Sequence, residues 1–154
     1  MDLKVLMPRG HVLLNLAGNT RRKMLRALAQ PLVDDQIVTD LEAFLDHVER
    51  REDQITTQIG KDIAIPHARS ATVRRLGLTL GLADEPGLPF NPAAPHPCRF
   101  LFLVAIPSFS PTAHLGLLQV LVHFSNDRRR LEKLGDSKTA TQAVNALLSF
   151  KWHP

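Results

Sequence analysis

Seven consecutive apolar residues, Phe100 to Ile106 (FLFLVAI), stand between Arg99 and Pro107. The run is far too short to cross a bilayer, which takes ~20 residues in a helix. It also lacks the polar alternation of a strand with one wet face. The stretch Arg99–Ile106 therefore reads as a central strand buried on both faces. Such a strand needs helices above and below it, which places the chain among α/β architectures. At 154 residues there is room for one such core and little for a second, so residues 1–154 are expected to form a single domain.

Other segments fit around that strand. Val12–Leu16 (VLLNL), Ile63–Ile65 and Leu76–Leu82 (LGLTLGL) read as further strands. Pro66 stops the second of these, because it offers no amide donor and holds Ile65 extended. Between Asn19 or Thr20 as cap and Pro31 as expected terminator, Met24, Leu25, Leu28, Ala29 and Leu32 recur at helical spacing. Asp40 caps a second helix carrying Leu41, Phe44, Leu45 and Val48. Glu85–Cys98, with five of the chain's 11 prolines, reads as loop. Ser110 followed by Pro111 signals a helix start. Asp127 opens a short helix ended by Gly135, and Asp136 or Ser137 opens a last one. The expected order is strand, two helices, three strands, three helices. The expected fold is a three-layer α/β/α arrangement with a mixed sheet of four or five strands.

Composition removes several function classes. Lys plus Arg total 19 against 15 Asp plus Glu, a net charge of +4 spread along the chain, which is compatible with nucleic-acid binding but does not argue for it, and no nucleic-acid partner is expected. Arg128-Arg129-Arg130 is flanked by Asp127 and Glu132 and reads as a solvated helix face. Cys98 is the single cysteine, so no internal disulfide can form, and its setting suggests an inert thiol. Asp2, Lys4, Pro8, Arg9 and Gly10 interrupt the first residues, so neither a secretory leader nor a membrane anchor is expected. A cytoplasmic protein without stable membrane insertion is the expectation. Phosphate loops, dinucleotide fingerprints, nucleophile elbows and clustered metal ligands are all missing from the sequence. No cofactor and no metal are expected.

Chemistry must then come from the seven histidines. His67 follows Pro66 at the expected C-terminal end of a buried strand, the edge where ligands bind in open α/β sheets. His114 falls in the first turn of the helix begun by Ser110 and Pro111, where free amides and the helix dipole favour an anion. The same dipole should hold the imidazole neutral near pH 7. Either histidine alone is more often just an ordinary hydrogen-bonded polar group. His11, His47, His96 and His153 are expected to be exposed and His123 to be a helix-surface or packing residue, none with a role.

The run Gly60-Lys61-Asp62-Ile63-Ala64-Ile65-Pro66-His67-Ala68-Arg69 resembles the active-site signature of enzyme IIA domains of the bacterial phosphotransferase system, of the fructose/mannitol and nitrogen-regulatory type. Arg51-Glu52 and Thr56-Thr57 stand where that family carries an Arg-Glu pair and a Ser/Thr-Thr pair. His114-Leu115-Gly116-Leu117-Leu118 is similar to its second histidine before a Leu-rich helix. The resemblance runs from about Arg21 to Leu148. The chain departs from it at Gln58 and Asp62, where many members have glycine, and in the Pro-rich stretch Pro89–Pro97.

The resemblance implies a phosphohistidine carrier. His67 would take a phosphoryl group on Nε2 from the histidine-containing phosphocarrier protein. It would then pass the group to a IIB domain or hold it as a regulatory mark. His114 would hydrogen-bond the phosphoryl oxygens and Arg51 would supply positive charge, with Thr57 and Arg69 as further phosphoryl-binding candidates. Loose phosphoryl-transfer transition states ask the protein mainly for positioning and charge, and those residue types supply both. A lone IIA chain would need separate IIB and IIC partners for transport. The alternatives are an interaction module that kept the fold without the chemistry, and a metal or nucleic-acid binding protein. Two histidines without a third ligand make the metal reading the poorer one.

Overall fold

The computed structural model describes residues 3–94, 96–110 and 112–149. A short helix α1 (Leu3–Leu6) and a 3-10 turn (Arg9–His11) lead into β1 (Val12–Leu13). Helices α2 (Arg21–Asp34) and α3 (Leu41–Gln54) follow. Five strands come next: β2 (Gln58–Ile59), β3 (Ile63–Ala64), β4 (His67–Ser70), β5 (Gly77–Leu82) and β6 (Phe100–Pro107). Helices α4 (Leu115–Ser125), α5 (Arg128–Gly135) and α6 (Ala140–Leu148) close the described chain.

All eight residues of β6 are buried, as a central strand requires. Its side chains alternate between two cores. Phe100, Phe102, Val104 and Ile106 pack with Leu117, Leu121 and Phe124 of α4, Leu131 and Leu134 of α5, and Leu147 of α6. Leu101, Leu103 and Ala105 pack instead with Leu25, Leu28 and Leu32 of α2 and Phe44, Leu45 and Val48 of α3. Helices thus cover both faces of a mixed sheet. Beside β6, β5 runs antiparallel and in turn pairs β1 in parallel. Gly81 of β5 allows the close approach of α2, because a Cβ there would stand 2.7 Å from Leu28 and 2.6 Å from Leu16.

The other edge of β6 carries the feature that matters for function. Strands β3 and β4 lie end to end along it, both parallel to β6, in one continuous register: Ile63 opposite Phe100, His67 opposite Val104. Pro66 interrupts the ladder only by lacking an N–H, and its carbonyl still accepts the Val104 amide at 2.9 Å. The proline therefore does not end the strand, and His67 starts β4 rather than closing β3. With β2 paired antiparallel to β3, the sheet has six strands rather than four or five.

Three helix boundaries also differ from the sequence reading. Pro31 lies inside the last turn of α2, which runs on to Asp34. A single lost hydrogen bond near the end is outweighed by the burial of Leu28, Ala29 and Leu32. Helix α4 begins at Leu115, after turns closed by Ala113 N–H to Ser110 O and Leu115 N–H to Thr112 O, so His114 is its cap. Pro111 lies outside the described residues. Helix α6 starts at Ala140 because the Thr139 hydroxyl accepts the Gln142 amide, a cap that neither Asp136 nor Ser137 provides. Thr20, Asp40 and Asp127 do cap α2, α3 and α5 through their side chains.

Candidate active site

Because Pro66 keeps Ile65 extended, the backbone of Ile65 lies under the ring that follows. The Ile65 carbonyl is 2.8 Å from His67 Nδ1. A carbonyl oxygen only accepts, so Nδ1 carries the proton and donates it. Nε2 is left with the lone pair. One peptide carbonyl thus selects both the ring's direction and its tautomer.

That ring helps line a cavity of about 330 Å³ with Ala68, Arg69, Ile106, His114 and four residues of α3: His47, Arg50, Arg51 and Gln54. Three arginines and three histidines meet there, and no Asp or Glu is among the lining residues. Such a hollow suits a dianion. A larger cavity of about 870 Å³ lies between α2, α3 and the loop at Pro89–Ala93, but it contains no histidine and its lining includes Glu49, Glu52 and Asp53. Its two arginines are already paired: Arg21 with Glu49 and Asp53, Arg22 with Glu42, Asp46 and Glu49.

The histidines sense their surroundings. Burial, and then the Arg51 guanidinium, hold His67 below the usual imidazole value, against the opposing pull of its Ile65 hydrogen bond. Burial also leads for His114, followed by the nearby His67 and Arg69. The sequence reading expected the direction for His114 but assigned it to the helix dipole; desolvation is the larger cause. The two rings face each other at 6.5 Å between centroids and 27° between planes. His114 Nδ1 is buried without a hydrogen-bond partner. Arg51 Nη1 donates to Ile55 O at 2.8 Å, which steadies the guanidinium beside the site.

Of the five residues proposed from sequence, His67, His114, Arg51 and Arg69 therefore share one hollow, and Thr57 stands apart. The Thr57 hydroxyl donates to Glu52 Oε1 at 2.7 Å, and its amide reaches both carboxylate oxygens at 2.5 and 3.1 Å. Both residues are buried, and burial raises the Glu52 carboxyl above its usual range. Thr57 is thus a clasp from the end of α3 to β2, not a lining residue. Replacing Glu52 by Ala would strand the Thr57 amide and hydroxyl. The expected loss is about 2 kcal/mol of stability, read as a lower urea midpoint at unchanged slope.

His47, Arg50 and Gln54 were not anticipated. The signal was available: residues 47, 50, 51 and 54 share one helical face with Arg51. His47 is half-buried rather than exposed, and its Nδ1 lies 2.8 Å from Ser70 Oγ. His11, also expected to be exposed, is buried, with ring nitrogens 3.0 Å from Leu78 O and 2.6 Å from Asp35 Oδ2. His96 is exposed as expected, His123 takes the helix-surface option of the two open to it, and His153 lies outside the described residues. Cys98 is fully buried and its thiol is pushed up to about 12 by desolvation, which makes it inert. Among the described residues no group of three His, Cys, Asp or Glu could hold a metal ion, and no helix is long and apolar enough to cross a membrane.

The fold is thus a mixed sheet with helices on both faces, and its hollow, lined by three arginines, three histidines and no carboxylate, has the chemistry to hold an anion beside a tautomer-fixed imidazole. Comparison with known proteins gives the particular kind. Residues 6–150 match the family described as phosphoenolpyruvate-dependent sugar phosphotransferase system, EIIA 2. The chain belongs to that family. It is 28% identical over 148 residues to the PTS system 2-O-alpha-mannosyl-D-glycerate-specific EIIABC component of Escherichia coli, covering 96% of this chain and 22% of that protein. It is 29% identical over 147 residues to the PTS system fructose-specific EIIA component of Haloferax volcanii, covering 94% and 95%. The chain thus spans about a fifth of the first relative and nearly all of the second. Two solved structures share the fold. Nitrogen regulatory protein IIA-Ntr from Neisseria meningitidis superposes with a TM-score of 0.84 at 19% identity, over 94% of this chain and 98% of that one. Enzyme IIA mannitol of Escherichia coli, solved in complex with phosphorylated enzyme IIB, gives 0.77 at 19% identity, over 92% and 96%.

Proposed function

We propose that this protein is a phosphohistidine carrier in which His67 accepts a phosphoryl group on Nε2 and passes it on. The observation that carries the reading is the Ile65 carbonyl on Nδ1, which leaves Nε2 as the nucleophile in a hollow lined by Arg51, Arg69 and His114. The donor is the histidine-containing phosphocarrier protein. As the P–N bond to the donor's imidazole breaks, the P–Nε2 bond forms, and the donor ring leaves with the electron pair. His67 keeps its Nδ1 proton throughout, so no base is needed. Arg51 and Arg69 offset the charge on the phosphoryl oxygens, and His114 donates a hydrogen bond to them. The reverse exchange hands the group to a IIB partner, the kind of protein with which the mannitol relative forms its solved complex. The likeness to a nitrogen regulatory protein supports a second use, in which the phosphorylated face is itself a signal to a target protein. Either use requires a protein to dock at the hollow. Phe109 and Leu115, 73% and 51% exposed on either side of His114 in sequence, offer it apolar contact. The carrier would work in the cytoplasm, where phosphoenolpyruvate is available.

The deciding experiment supplies phosphoenolpyruvate, enzyme I and the phosphocarrier. An acid-labile adduct of about 80 Da, one phosphoryl group, is expected by mass spectrometry. No adduct would leave the interaction module as the better account.

Carriage by a neutral imidazole also fixes a pH profile. Because burial holds His67 below the ordinary imidazole value, its ring protonates at a lower pH than a free imidazole does. The NMR titration midpoint of its ring is expected below 6.5, the ordinary value. Neutral-ring availability should fall off at a lower pH than it does for an ordinary imidazole. A midpoint at or above the ordinary value would overturn the desolvated nucleophile.

A further inference from the structure

We infer that His47 is a third imidazole of the anion site, donating an Nε2 proton to phosphate held in the hollow. The inference deepens the carrier reading above. His47 sits on α3 one turn before Arg51, on the same face, and lines the cavity together with His67 and His114. Its Nδ1 is fixed 2.8 Å from Ser70 Oγ, a buried hydroxyl on the strand that starts at His67. Ser70 Oγ in turn lies 2.8 Å from Thr72 Oγ1 and accepts the Thr72 amide at 3.2 Å. With Nδ1 tied to the sheet, Nε2 is the ring atom left for the cavity.

The serine makes this a selectable donor. A hydroxyl both donates and accepts. When Ser70 donates to Nδ1, the proton of the neutral ring must be on Nε2. When Ser70 donates to Thr72 instead, Nδ1–H donates to Ser70 and Nε2 carries a lone pair. No carboxylate lines the hollow, so an anion there meets only cationic and neutral donors and favours the Nε2–H form. His67 contrasts with this: a carbonyl fixes its Nε2 as a lone pair, fit to attack phosphorus. His47, backed by an adaptable hydroxyl, is fit to donate to phosphorus-bound oxygen. At about 330 Å³ the cavity has room for a tetrahedral anion together with ring donors on both of its flanks, α3 and the start of α4.

Two substitutions separate donation from mere support of the strand. The amide of His47→Asn falls near the position of Nδ1, keeping the Ser70 contact and removing the cavity donor. The amide of His47→Gln falls near Nε2, restoring the donor and giving up the serine. Inorganic phosphate is the probe, followed through the ring nitrogens of His47 and His67 by NMR. Wild-type His47 Nε2 is expected to shift on adding millimolar phosphate. Phosphate affinity should fall about tenfold in His47→Asn, one charge-assisted hydrogen bond, and stay within about threefold of wild type in His47→Gln. The lifetime of phosphorylated His67 should follow the same order. Wild-type affinity in His47→Asn, or an unmoved His47 ring in a protein whose His67 still takes a phosphoryl group, would overturn the inference and leave the carrier reading intact. Conversely, a His47 response to phosphate in a protein that never becomes phosphorylated would uphold the anion contact and remove the carrier reading.

Discussion

Replacing His67 by glutamine is expected to abolish phosphoryl uptake from the phosphocarrier, by at least about a thousandfold, while the chain still folds. The glutamine amide reaches roughly as far as the imidazole, but its nitrogen lone pair is delocalised into the carbonyl and does not attack phosphorus. Nothing else in the hollow replaces the lost function on the same terms. Arg50, Arg51 and Arg69 present guanidinium donors and no nucleophilic lone pair. His114 and His47 are imidazoles, yet neither has a backbone carbonyl on Nδ1 to set Nε2 as the free base. The structural cost of the change is small. It removes one hydrogen bond to the Ile65 carbonyl at a half-buried position, about 1 kcal/mol. Intact-mass measurement after incubation with the full donor chain checks the expectation. An adduct that persists on the variant would move the acceptor to another residue, which peptide mapping would name.

Much of this arrangement could be read in the residues, and the reasons it could not all be read are physical. The run Phe100–Ile106 announced a strand with both faces dry, and its burial required helices on two sides. Thr20, Asp40 and Asp127 announced helix starts because capping is local chemistry, settled within four residues. Strands β2 and β4 were illegible because their existence depends on neighbours far along the chain. Gln58–Ile59 is too short for any period, and His67–Ser70 (HARS) looks polar, yet β6 offers it four partners in register. The site divided in the same way. Sequence motif pointed to His67, His114 and Arg51, and the fold brought them together. Thr57 was placed near the phosphoryl group by motif alone, whereas the buried carboxylate of Glu52 claims its hydroxyl. His47 was passed over because a charged helix suggested exposure. Its helical spacing to Arg51 held the correct answer.

His114→Ala is expected to slow phosphoryl transfer about a hundredfold, as loss of one preorganised donor to developing charge does, without weakening the fold. The two halves of that expectation have one source. His114 makes no side-chain capping bond at the start of α4, and its Nδ1 is buried with no partner. A buried polar atom left unpaired costs about 1–3 kcal/mol, so deleting the ring removes a penalty along with its packing, and net stability should change by less than about 1 kcal/mol. The proposed role therefore draws on a ring the fold does not need for capping, one whose centroid stands 6.5 Å from that of His67. The acid side of the stability curve gives a separate reading. With its folded value below the ordinary 6.5, His114 favours folding above that pH and loses this contribution as pH falls through the folded value. Removing it should make the variant less sensitive to acid than the parent between those limits. Stopped-flow transfer rates and urea unfolding at several pH values measure both effects on the same pair of proteins. An unchanged rate would take His114 out of the chemistry, and a loss of several kcal/mol would make it a residue of the fold instead.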